Sequence, residues 1–360
     1  MKRNGAAAER QADEAHSTGF IREMTGPLRP TAQDDLPALA QFLARVYKFG
    51  PADFHADPRW LQWKYFSPLS GWRGGRSYLL EKDGRIAAHG GVCPVTLRLP
   101  SGQTVSSITI LDWAADPSTP GSGVHLYRTL MEMASTSFVI GGTPVTRQII
   151  PRIGFRQVGE ALSYAAWLRP WSEFRLRFRA PRSALALLHG LTHPARNRRP
   201  ASAGWDCDSV HQFDDSILPI LNGSQRSWTF CQRTVADLNC LLQCPHIKIQ
   251  GFLLRRQGRL LGYFIIGKMQ WEARLLDLAL DSADANDWNL ACAMVTEAAR
   301  VDPEVSRIRT QSTLPALTEA LRWNGYWLQH REPVLVHDPA NALEGAFPVS
   351  FQLVDGDSGY

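Results

Sequence analysis

Apolar residues recur along this chain in two rhythms, and the points where one replaces the other mark its elements. After Arg29, Pro30 and Thr31, which predict a short strand, Leu36, Leu39, Ala40, Phe42, Leu43, Val46 and Tyr47 fall at helical spacing behind Asp34 and Asp35. That pattern predicts an amphipathic helix with an acidic start. The stretch 57–68 then concentrates Trp60, Trp63, Tyr65 and Phe66. It predicts a second helix that carries large rings into the core, with stacking on a ligand as the alternative. From Ser77 the period shortens to that of strands. Asp83 and Gly84 suit the positive φ angles of a tight hairpin, and Pro100, Ser101 and Gly102 make a second turn. Residues 77–115 are therefore expected to form a three-stranded antiparallel meander.

The last strand of that meander belongs to the segment from Ile108 to Ala134, which reads as strand, loop and helix in succession. Pro120, Gly121, Ser122 and Gly123 stand where the helix must begin, and the first N–H groups of a helix have no partner within it. Glycines at 121 and 123 leave those groups open to close approach, and the positive end of the helix dipole attracts an anion. The segment predicts a phosphate cradle at Gly121 to Val124, against the plainer reading of a Gly and Pro connection. A strand at Phe138 to Ile140, a loop at Gly141, Gly142 and Pro144, and a short helix carrying Arg147 and Arg152 follow. Gly154 and Phe155 end that helix, and a last strand runs through Tyr164 and Trp167.

This order of elements, over residues 28 to about 170, resembles a domain of the GNAT (GCN5-related N-acetyltransferase) superfamily. Arg29-Pro30-Thr31 with Asp34-Asp35-Leu36 resembles the family's opening strand and helix. Asp112 through Gly123 resembles its acyl-CoA-binding segment, and Ile153-Gly154-Phe155 resembles the end of its second cofactor-contacting helix. The resemblance implies acetyl-CoA, or another acyl-CoA, as co-substrate. On it, the backbone of Trp113, Ala114 and Ala115 pairs with the pantetheine arm like an added strand, and the N–H groups from Gly121, Ser122, Gly123 and Val124 hold the pyrophosphate. Arg147 and Arg152 meet the nucleotide phosphates, with plain surface solvation as their alternative. Two positions depart from the pattern. Ser118 stands three residues before the first glycine, where the family usually has Arg or Gln. Ile150 stands four residues before Gly154, where many members carry a Tyr that protonates the leaving thiolate.

The second half repeats the first. Phe252 follows Tyr78, and Gly258 follows Gly84, by 174 positions; Asp277 follows Asp112 by 165, and Gly325 follows Gly154 by 171. Landmarks at nearly constant offset imply two copies of one fold. The expected class is α/β (α+β), two tandem GNAT-like domains, each a mixed, mostly antiparallel twisted sheet flanked by helices. The expected divisions are a disordered tail at 1–27, a cofactor-binding domain at 28–170, a basic linker at 171–204, a degenerate GNAT-like domain at 205–340 and a C-terminal tail at 341–360. The second copy is degenerate because Ser282 to Asp287 has no glycine and carries the acidic residues Asp284 and Asp287. Such a segment repels a pyrophosphate, so the first copy alone is expected to bind the cofactor.

Acyl transfer to an amine requires a positioned thioester, a deprotonated amine and donors aimed at the developing oxyanion. Asp112 is the carboxylate best placed to draw the proton, directly or through water, and His89 on the neighbouring strand is the second candidate. Each has an alternative as an ordinary hydrogen-bonded strand residue. The expected function is an acyl-CoA-dependent N-acetyltransferase acting on a primary amine of a small molecule or amino sugar. The alternatives are a catalytically impaired ligand-binding or scaffold protein, and an aminoacyl-tRNA-dependent transferase of the cell envelope.

Composition narrows the setting. The 360 residues are 44% hydrophobic and 20% charged, as in a soluble globular protein large enough for two domains. A formal charge of +5 favours anionic ligands but is too diffuse to indicate nucleic acid. No apolar run is long enough to span a bilayer, and Lys2 and Arg3 are followed by polar residues in place of a secretory core, so a cytoplasmic location is expected. Six cysteines are too sparse for a disulfide framework. Cys240, Cys244 and His246 approach metal spacing, but no second pair follows, and no metal is expected. In the linker, Arg175, Arg177, Arg179 and Arg182 alternate with Phe174, Leu176 and Phe178. That element suits a solvated linker over a domain seam, or peripheral contact with an anionic membrane.

Overall fold

The computed structural model describes residues 28–50, 53–69, 71–169, 204–223 and 226–356. The N-terminal stretch and nearly all of the basic linker read from the sequence lie outside them. The first repeat supplies β1 (Leu28–Pro30), α1 (Leu36–Tyr47), α2 (Pro58–Phe66), β2 (Ser77–Lys82), β3 (Arg85–Arg98), β4 (Thr104–Ala115), α3 (Ser122–Met131), β5 (Thr136–Ile140), α4 (Pro144–Ile149) and β6 (Arg156–Trp167). The second supplies β7 (Trp205–Val210), α5 (Leu218–Asn222), β8 (Thr229–Gln232), α6 (Val235–Leu242), β9 (Lys248–Arg256), β10 (Arg259–Met269) and β11 (Glu272–Leu280). After these come α7 (Ala285–Val301), β12 (Arg307–Ser312), α8 (Pro315–Trp323), β13 (Trp327–His337) and β14 (Val349–Ser350). The sheet is mixed and mostly antiparallel, as expected.

Two compact units emerge, and the cut between them runs through β3 and β4, not through the linker. Among the described residues, one holds those from 28 to 68 with 72–93 and 110–134; the other holds 69, 71, 94–109 and those from 135 on.

In the first unit β1 pairs with β2, and β2 with β3, both antiparallel, so that Leu79 faces His89 across the ladder. Adjacent glycines in β3 seat helices on opposite faces of this sheet, because successive strand residues point opposite ways. A Cβ on Gly90 would meet Leu126 of α3 at 2.7 Å, and one on Gly91 would meet the ring of Tyr65 of α2 at 2.4 Å. The apolar spacing of α1 buries Leu36, Leu39, Ala40, Phe42 and Leu43. Arg29 fixes the start of that helix with hydrogen bonds to both oxygens of Asp35 and to Glu81.

In the second unit β4 and β5 run parallel and pair only over Ser107–Thr109 with Thr136–Phe138. The order then runs β5-β13-β6-β12-β11-β10-β9-β7. The strand that ends the first repeat, β6, pairs with β12 of the second, while β13, which ends the second, pairs with β5 of the first. The two repeats have exchanged their last strands. Tyr164 and Ala166 of β6 accordingly sit in one buried cluster with Leu275, Trp288 and Ile308. The expected tail from residue 341 is also corrected: Leu343, Ala346, Val349, Phe351 and Leu353 are buried, because β14 pairs with β8 and anchors the segment.

Candidate functional site

The loop after β4 is built around Asp116. Its carboxylate accepts from the N–H and hydroxyl of Ser118 and from Arg45. This Asx turn gives Ser118 a structural task and delivers the chain to Gly121, whose φ of 86° lies in the left-handed region. Gly121 is the N-cap of α3 and offers no side-chain cap; a Cβ there would meet nothing within 4 Å. The N–H of Ser122 reaches Thr119 O, and that of His125 reaches Gly121 O. Among the described residues no backbone carbonyl accepts from the N–H of Gly123 or Val124.

The side chains nearby have other duties. The Ser122 hydroxyl turns inward and donates to Thr119 O at 2.7 Å. Gly123 is glycine for packing rather than for ligand approach: a Cβ would lie 2.9 Å from the Ala115 Cβ and 3.2 Å from Trp113 Nε1. Trp113 Nε1 donates to Gly123 O at 2.8 Å and so pins α3 to β4. Trp113 O accepts from the Tyr47 hydroxyl, and Ala114 is buried. The parallel pairing of β4 stops at Thr109, so among the described residues Ile110–Ala115 have no parallel partner.

At Asp112 the strand bends through a φ of 47°. Its Oδ2 lies 2.8 Å from Lys64 Nζ and also accepts the Tyr65 hydroxyl. Burial works to raise the pKa of this carboxyl, but the Lys64 charge and the bonds from Lys64 and Tyr65 outweigh it and hold the group below the usual carboxylate range. His89 is fully buried, and burial drives its pKa down to about 4. Its Nδ1 meets Asp112 O at 3.1 Å, an atom that only accepts, so Nδ1 carries the proton. Nε2 then accepts from Ser77 Oγ, which in turn accepts from Thr31 Oγ1. A neutral histidine in such a chain orients β4 against β1 and β2.

The sequence thus brings Asp112, His89, Trp113, Ala114, Ala115 and the Gly121–Val124 turn into one unit. Lys64 and Tyr65 had no signal in the sequence beyond a cluster of rings. Arg147 and Arg152 belong to the second unit; Arg147 Nε donates to Gly142 O, and both are exposed. Ile150 is fully buried and offers no proton.

The second repeat buries a comparable carboxylate. Tyr263 follows His89 by 174 positions, and its hydroxyl donates to Asp277 Oδ2 at 2.8 Å. Arg233 lies between Asp277, at 3.4 Å, and Asp355, at 2.6 Å. Here the helix start is capped: the Asp284 side chain accepts from Asn286 N. Among the described residues no group of three or more His, Cys, Asp or Glu side chains is arranged for a metal, and no helix is long and apolar enough to cross a membrane.

No protein-family model matches the chain, and no curated protein matches it. Solved structures do. A GCN5-related N-acetyltransferase from Anabaena variabilis aligns with TM-score 0.58 and 13% identity over 86% of this chain and 72% of its own. Saccharomyces cerevisiae N-myristoyltransferase with bound myristoyl-CoA gives TM-score 0.59 and 12% identity over 87% and 82%. A tandem GNAT protein from the clavulanic acid biosynthesis pathway gives TM-score 0.53 and 11% identity over 86% and 97%. The fold is that of the GNAT acyltransferases.

Proposed function

We propose that the protein is an acyl-CoA-dependent N-acyltransferase that moves an acetyl group from acetyl-CoA to a primary amine of a small molecule or amino sugar. One observation carries the reading: a GNAT fold in which α3 begins with an uncapped glycine turn whose Gly123 and Val124 N–H groups meet no backbone acceptor among the described residues. These groups and the helix dipole suit a pyrophosphate. The open edge of β4 at Trp113–Ala115 suits an extended amide-bearing arm, which adds to a strand through main-chain bonds. When bound, acyl-CoA supplies an activated thioester carbonyl. The myristoyl-CoA held by the yeast neighbour supports an acyl-CoA co-substrate, while the acyl chain used here rests on the proposal.

The protein's own groups then divide the work. Asp112, kept anionic by Lys64 and Tyr65, is a weak base and serves better to attract a cationic amine and orient it. His89, neutral and enclosed, positions the strand. A second reading, ligand binding without turnover, is favoured by Ile150, which leaves that position without a proton for the departing thiolate.

Calorimetric titration with acetyl-CoA tests binding. The proposal expects saturable binding that Gly121→Val weakens at least tenfold, and no binding in either protein would overturn it. Thiol release against a panel of primary amines then separates the readings, since turnover excludes the second.

A further inference from the structure

The first residues of β11 and β12 set charges side by side. The strands run parallel there, with Glu272 beside Arg307 and Arg274 beside Arg309. Successive strand residues point to opposite faces, so these four share one face. On the other face Ala273 and Ile308 are buried in the apolar cluster with Trp288. Glu272 is buried and answers all three arginines. Its Oε1 lies 3.3 Å from Arg274 Nε and 3.6 Å from Arg309 Nε, while Oε2 pairs with an outer nitrogen of Arg307. One carboxylate against three guanidiniums leaves the cluster with two positive charges in excess.

The rung made by Arg274 and Arg309 holds like charges on facing positions largely withdrawn from water, where repulsion is poorly screened. Burial, and after it the Arg309 charge, lowers the pKa of Arg274. Arg309 is the least satisfied of the three. Glu272 lies beyond its hydrogen-bond reach, its Nε is shut off from water without an acceptor, and among the described residues its side chain makes no hydrogen bond. Arg307 Nε is likewise buried without an acceptor, while its guanidinium lies over the rings of Trp271 at 4.6 Å and Trp167 at 5.6 Å. Nε is the Arg309 nitrogen nearest Glu272, so the outer nitrogens are the part that water reaches, and the side chain is 24% exposed. An anion needs no cavity to meet them, because it takes the place of water at that edge.

We propose that Arg309, with Arg307 and Arg274 beside it, forms a binding site for a phosphate monoester on the second repeat. Guanidiniums present N–H forks that match phosphate oxygens, and a dianion balances the excess charge, which a single carboxylate does not. The repulsion that costs stability in the unliganded cluster then becomes the source of affinity. The site is independent of the glycine turn of α3 and of any acyl-CoA bound there. A soluble phosphate and a phospholipid headgroup share this chemistry.

Calorimetric titration of the full chain with inorganic phosphate in chloride buffer tests the site. Gly121→Val, which disables the glycine turn, is compared with Gly121→Val/Arg309→Gln. The expected result is saturable binding in the first protein that the added Arg309→Gln weakens by about tenfold or more. Arg309→Gln removes a repulsion, so without phosphate it should melt no lower than its parent; Arg274→Gln takes its place if it fails to fold. Equal binding in the two proteins, or none above chloride in either, overturns the site. Flotation with phosphatidylcholine vesicles containing phosphatidic acid identifies the source. Co-flotation that Arg309→Gln abolishes assigns a lipid headgroup, and phosphate binding without co-flotation assigns a soluble phosphate.

Discussion

Lys64 Nζ stands 2.8 Å from Asp112 Oδ2, with the lysine almost wholly withdrawn from water. A helix residue and a strand residue are thereby tied at the point where β4 bends. Removing one partner of a buried ion pair leaves an uncompensated charge, which costs roughly 3–5 kcal/mol. Lys64→Met is expected to lower stability by about that much in denaturant unfolding, and a loss below about 1 kcal/mol would show the pair to be effectively solvated.

His89 sets a pH dependence. Its pKa falls from 6.5 in the free state to about 4 in the fold, so between those values the unfolded chain binds the extra proton. Stability is therefore complete above about pH 6.5 and is lost as the pH falls toward 4, by about 3 kcal/mol in all. The depressed Asp112 carboxyl acts lower, below the usual carboxylate range. Melting curves recorded from pH 7 to 4 should show the decline, and His89→Gln should flatten it.

The two glycines of the α3 turn should fail differently. Gly121→Ala meets open space but forces a left-handed φ, at a cost of about 1–2 kcal/mol. Gly123→Ala presses on Ala115 and Trp113, and overpacking of this kind costs about 1–3 kcal/mol. Thermal melts combined with acetyl-CoA titration should show Gly123→Ala loosening the seat of α3 on β4, with a shift in melting temperature at least as large as that of Gly121→Ala.

Arg233 answers two buried carboxylates, Asp277 and Asp355, and burial already raises the Asp355 pKa against the pull of Arg233. Arg233→Met should destabilise the chain by at least roughly 3–5 kcal/mol at pH 7. Part of the loss should be recovered on acidification, as the stranded Asp355 carboxyl, whose pKa burial already raises, takes up a proton. A deficit that does not shrink on acidification would contradict this account.

Much of this was legible in the sequence because it is local. The helix over Leu36–Tyr47, the hairpin at Asp83-Gly84 and the glycine turn before α3 each announce themselves within a few residues. The exchange of β6 and β13 was not legible, since alternating apolar positions fit a strand equally well beside β5 or beside β12. Lys64 was hidden for a different reason: a lone lysine among rings reads as solvated until its long-range partner, Asp112, is known. The C-terminal segment misled because its polar residues, Gln352 and Asp355, find their partners far back in the chain.

The exchanged strands carry a consequence for synthesis. Ile140 must wait for Val334, and Leu162 for Ser312, so a ribosome that has finished the first repeat has made β5 with only β4 beside it and β6 with neither of its neighbours. A product that stops before β13 keeps bare hydrogen-bonding edges on β5 and β6, the kind of edge that pairs with other chains. The sheet around β5 and β6 can thus be completed only once translation reaches its last long strand.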